Sequence, residues 1–113
     1  MTKYFVAVYR PNGVDPSVSV DQQMLREIDA LNDEMVAAGI RLFVGGLQPL
    51  TTAVSIISGP TGAPTPLNEP PIRAGEYLDG FWVLELSSQD EAIHWGKKAA
   101  IACRAAVEVR PFH

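Results

Sequence analysis

Sulfur, imidazole and positive charge are all scarce in this chain. Its 113 residues hold one cysteine, Cys103, and two histidines, His94 and His113. One thiol closes no internal disulfide, so a reducing cytoplasm is the expected compartment. One cysteine and two isolated histidines do not build a closed four-ligand zinc site, and no metal is expected. Lys and Arg number 9 against 13 Asp and Glu, a formal net charge of −4. That balance exerts no pull toward phosphate backbones, which argues against nucleic acid and, more weakly, against anionic membranes as partners. The opening Met1-Thr2-Lys3-Tyr4-Phe5 lacks the apolar core and cleavage site of a secretory leader. No run reaches the roughly 18 apolar residues that a helix needs to span a bilayer. Neither a GxGxxG nor a GxxxxGK[ST] pattern occurs, and no cofactor is expected.

What is present suits one small soluble domain. A chain of this size buries roughly two-thirds of the surface that its unfolded form exposes, so it needs no disulfide or metal to fold. Residues 3–9 (Lys-Tyr-Phe-Val-Ala-Val-Tyr) predict a central strand, stopped by Pro11-Asn12-Gly13. Over 20–38, Met24, Ile28, Leu31 and Met35 fall on one stripe of a long helix, widened by Leu25 and Val36. Ser19 with Gln22 has capping-box spacing, and Asp15-Pro16 is a competing start. Gly39 stands where a left-handed C-terminal cap is wanted.

Residues 41–44 and 52–57 read as short strands, separated by the turn Gly46-Leu47-Gln48-Pro49. The stretch 58–79 carries Pro60, Pro64, Pro66, Pro70 and Pro71, and reads as a functional loop with a short extended piece near Thr65–Leu67. Residues 80–86 predict the strongest strand. Ser88 with Glu91 opens a helix through about 97, with a second short helix over 98–103. Residues 106–110 alternate as a last strand. The order β-α-β-β-(loop)-β-α-β predicts an α+β, ferredoxin-like sheet with two helices on one face. Phe81 and Val83 fall on one face of their strand, Trp82 and Leu84 on the other. A sheet apolar on both sides predicts a homodimer that buries the second face.

Three motifs in order carry a resemblance: Gly45-Gly46-Leu47-Gln48-Pro49 after the long helix, Gly80-Phe81-Trp82-Val83-Leu84-Glu85 before Asp90-Glu91-Ala92, and the closing Val107-Glu108-Val109-Arg110-Pro111. Together they resemble the YCII-related family, in its DGPF branch, over nearly the whole chain. The resemblance implies a dimeric α+β barrel whose function is largely unassigned, with suspected enzymes in a branch where a His and an Asp face a cleft. The branch is named for an Asp-Gly-Pro-Phe sequence upstream of the Gly-Gly-Phe strand. Here its Asp position falls on Asn68, followed by Glu69-Pro70-Pro71, so that only the proline matches. A register slip of one residue puts Glu69 there instead. A downstream family glutamate falls on Glu76, which matches.

The candidate chemistry gathers at the same places. Glu69, Glu76 and Asp79 cluster near the end of the loop, and two carboxylates facing one cleft divide acid and base roles between them. The plain reading is that they are solvated. Glu76 is the candidate catalytic group, because an asparagine at 68 does not act as a general base. Gln48, Asn68, Glu69, Arg73 and Arg110 are the candidate binding residues. Gln48 either orients a ligand or satisfies backbone groups at a bulge. Arg73 and Arg110 suit a ligand carboxylate, unless Arg110 pairs with Glu108. Tyr9 and Trp82 line a pocket between sheet and helices, or are plain core. His94 falls off the Ala92, Gly96, Ala99 stripe and reads as solvated or interfacial, and Cys103 as a small buried hydrophobe unless Arg104 lowers its pKa.

The residues do not decide between an enzyme and a binder. The first expectation is a small-molecule binder or weak cofactor-independent acid/base enzyme. The alternative is a non-catalytic interaction module using its sheet face or Pro-rich loop. A cofactor-free monooxygenase or muconolactone-isomerase type of site rests on shared architecture alone.

Overall fold

The computed structural model describes residues 1–11, 21–57, 62, 64–67 and 75–113. Their order is β1 (Thr2–Pro11), α1 (Gln22–Ala37), β2 (Arg41–Gly46), a 3-10 turn (Leu50–Thr52), β3 (Ser55–Ile57), β4 (Thr65–Leu67), β5 (Glu76–Leu86), α2 (Gln89–Cys103) and β6 (Ala106–Pro111). The chain is α+β. Four strands form an antiparallel sheet in the order β2-β5-β1-β6, an arrangement compatible with the ferredoxin-like plan. Among the described residues the three-residue strands β3 and β4 pair only with each other. Residues 52–57 therefore contribute a short outlying ladder rather than a strand of the main sheet, and the residues before Ala53 turn instead of extending. Among the described residues no helix is long and apolar enough to cross a membrane.

Alternation along the two central strands sets the layers. Tyr4, Val6 and Val8 of β1 and Trp82, Leu84 and Leu86 of β5 point to one face. They form a core with Leu31 and Met35 of α1 and with Ala92, Ala99, Ala102 and Cys103 of α2. Both helices thus cover one face of the sheet. Met24, Leu31 and Met35 are buried on the α1 stripe, whereas Leu25 and Val36 lie outside it and are exposed.

Helix boundaries follow local hydrogen bonding. Asp21, rather than Ser19 or Asp15-Pro16, caps α1, its Oδ1 accepting from Met24 N at 2.7 Å. At the other end Gly39 takes φ +70, and the bonds Ile40 N to Met35 O and Gly39 N to Val36 O close a Schellman motif. Ser88 caps α2 by accepting from Glu91 N. The Glu91 carboxylate in turn accepts from Ser87 N and Ser87 Oγ, and these two bonds hold its pKa below the ordinary value.

α2 does not break at 97 but runs on to Cys103. Gly96 is no stop: it is the point of closest approach to β6, where an added Cβ would lie 2.6 Å from Val109 Cγ2. The alanines beyond it are strong helix formers. A second close approach fixes the β2–β5 pair, since a Cβ at Gly80 would meet Gly45 O at 2.9 Å.

Candidate functional site

The register of β5 against β1 slips once. Val8 faces Gly80 and Tyr9 faces Leu78, which leaves Asp79 as the extra residue of a β-bulge. Alternation alone would set Asp79 on the same face as Phe81. The bulge turns it toward the helices, where its Oδ2 accepts from Nε of Arg10 at 2.8 Å. Arg10 is buried and also donates from Nη1 to Cys103 O at 3.0 Å, joining β1 to the end of α2. A buried guanidinium is tolerable because a carboxylate and a carbonyl satisfy it. The Asp79 carbonyl meanwhile accepts from Leu47 N at 2.8 Å, which anchors the loop after β2.

Asp79 and Glu76 therefore do not share a cleft. Asp79, with Arg10, Asn32, Trp82 and Cys103, lines a small cavity of about 140 Å³ on the helix side. There Asn32 Oδ1 accepts from Trp82 Nε1 at 2.9 Å and from Arg41 Nη1 at 3.1 Å. Burial pushes the Cys103 thiol up, Asp79 adds to the effect and Arg10 opposes it. Arg104, the alternative activator of that thiol, instead caps α2 in the left-handed conformation and pairs with Glu27 at 2.6 Å. Cys103 is a buried core residue.

A larger cleft of about 550 Å³ opens on the other face of the sheet. Its rim is the loop Leu47–Ala53, folded by the turn in which Thr52 N and Thr52 Oγ1 both donate to Pro49 O. Its floor comes from Tyr9 of β1, Glu76, Tyr77 and Leu78 of β5, and Arg110 of β6. Leu47, Pro49, Leu50, Ala53 and Leu78 make most of the wall apolar. Gln48, Glu76 and Arg110, distant in sequence, come together here. Asn68, Glu69 and Arg73 lie outside the described residues, as does most of the stretch 58–74. Glu76–Asp79, expected as the end of that loop, are the first residues of β5.

Arg110 is already engaged. Its Nη2 donates to Glu108 Oε1 at 2.8 Å, and the Tyr9 hydroxyl lies 3.5 Å from the same oxygen, at the outer limit of a hydrogen bond. Among the described residues Glu76 and Gln48 carry no ion pair or side-chain hydrogen bond. Tyr9 is a cleft residue on the face away from the helices; Trp82 is the aromatic between sheet and helices.

No family model and no curated protein matches the chain. The site thus rests on its own geometry. Among the described residues no group of three or more His, Cys, Asp or Glu is arranged to hold a metal ion. His94 is exposed, packs edge-on against Trp95 at 5.7 Å and does not line the cleft. The sequence singled out none of the rim residues Leu50, Thr52 and Ala53, and it placed Thr52 and Ala53 in a strand over 52–57. The Pro49-Leu50-Thr51-Thr52 turn chemistry was the signal that could have found them.

Proposed function

We propose that this chain is a small-molecule-binding protein of the YCII-related (DGPF) type, which acts as a homodimer in the cytoplasm and takes its ligand in the 550 Å³ cleft. The observation that carries this reading is the convergence of Gln48, Glu76 and Arg110 on one largely apolar cleft, the usual composition of a ligand site. Any chemistry there is cofactor-independent proton transfer, with Glu76 as the acid/base group and Gln48 orienting the ligand. Support for the dimeric barrel comes from the uncovered sheet face. Phe43, Phe81, Phe5 and Phe112 form a continuous aromatic row across it, with centroid separations of 5.8, 5.2 and 6.2 Å. Phe43 is 55% and Phe112 48% exposed in the single chain. That row also favours a second reading, a non-catalytic module that docks a protein partner on the same face.

A thermal-shift screen against small metabolites separates the two. A ligand at 100 times its Kd adds about 2.7 kcal/mol. For a domain of this size that raises Tm by on the order of 10 °C. The expected result is a hit whose shift is lost in Glu76→Gln, while the unliganded Tm is unchanged. A panel without hits, or a hit indifferent to Glu76, favours the interaction module.

A further inference from the structure

We infer that the ligand of this cleft is an apolar molecule bearing an amine, and not an organic acid; the inference rests on the small-molecule reading above. The charged groups at the cleft decide it. Glu76 lines the cleft with no described partner, whereas Arg110 has its Nη2 held by Glu108 Oε1 at 2.8 Å. The Glu108–Arg110 pair is neutral as a unit, and Glu76 leaves the described cleft one negative charge in excess. The chain as a whole carries −4, so the long-range field favours the same sign of ligand.

An incoming carboxylate would have to share Arg110 with Glu108 while facing Glu76 across the cleft. Like charges in one cleft repel, and displacing Glu108 would cost an existing charge-assisted hydrogen bond. An ammonium group meets the opposite situation. It donates to the free Glu76 carboxylate and to the Gln48 amide oxygen, and it leaves the Glu108–Arg110 pair undisturbed. The carbon skeleton then lies against Leu47, Pro49, Leu50 and Leu78. The Tyr9 ring, tethered at its hydroxyl beside Glu108, offers a further apolar surface and a face to a cation.

Two probes that share a phenylethyl skeleton and carry opposite charge test this: 2-phenylethylamine and 3-phenylpropionate, each titrated into ¹⁵N-labelled protein at pH 7. The amine is expected to shift the amides of residues 47–53 and 76–78, and the acid to leave them in place at the same concentration. In Glu76→Gln the amine should bind about threefold to tenfold more weakly, the range for a charge-assisted contact partly screened by solvent. Equal binding of both probes, or amine binding that is unchanged in Glu76→Gln, overturns the charge preference while leaving the cleft a ligand site. Tighter binding of the acid, lost in Arg110→Met, overturns it as well and makes Arg110 the anchor. Failure of both probes to move any amide of the cleft removes the small-molecule reading together with the inference.

Discussion

Single residues in this protein act through what the backbone lets them reach. Glu91 is held by Ser87 N–H and Oγ–H, and these bonds favour its ionised form. Its folded pKa lies below the ordinary 4.5, so the stability it contributes is present above that value and is lost as pH falls through the folded pKa. Wild type is expected to melt above Glu91→Gln at pH 7, and the gap should close as pH drops below 4.5, measured by melting curves across an acid series. A gap that persists unchanged into strong acid would contradict that origin. The Ser88-to-Glu91 spacing was legible in the sequence because a cap is local chemistry. Asp79 was not. Its neighbours Glu76 and Glu69 suggested a carboxylate cluster, but a one-residue bulge turned it to the opposite side of the sheet and onto Arg10. A bulge of this kind is set by the pairing of two strands distant in sequence, and no local pattern announces it.

Elements show the same division between local and distant causes. α1 and β6 were readable from periodicity, and β1 and β5 from their aromatic and β-branched residues. The errors fell where tertiary packing overrides propensity. The sequence suggested a helix to about 97 and a second over 98–103, yet α2 runs unbroken to Cys103, with the bare backbone of Gly96 against Val109. Gly96→Ala is expected to destabilise the fold by about 1–3 kcal/mol through overpacking, despite the higher helix propensity of alanine. Adding Val109→Ala should return part of the loss in denaturant titrations, whereas purely additive effects would deny the contact. Residues 52–57 were read as a strand of the main sheet and Thr65–Leu67 as an extended piece of the loop; they pair with each other instead, and three-residue strands carry too little pattern to show their partner.

At the scale of the whole molecule the two faces of the sheet are unequal. Helices cover one; the other carries the phenylalanine row and the cleft. The apolar character of both faces was legible from Phe81 and Val83 against Trp82 and Leu84, and it led to the homodimer. Phe43→Glu places a charge at an exposed point of that row without touching the core. Sedimentation equilibrium is expected to find wild type dimeric and this variant shifted to monomer, with its unfolding midpoint extrapolated to low concentration preserved. A wild type that stays monomeric at high concentration would remove the dimer.

Three of the six residues proposed for the site meet at one cleft, and they do so because β2, β5 and β6 bring distant segments to the same end of the sheet. The most direct test of that cleft as a ligand site is the amide shift map of the first compound that raises Tm. The account predicts shifts concentrated in residues 47–53, 76–78 and at Arg110. Shifts centred on Phe5, Phe43 and Phe81, with the cleft silent, would contradict it.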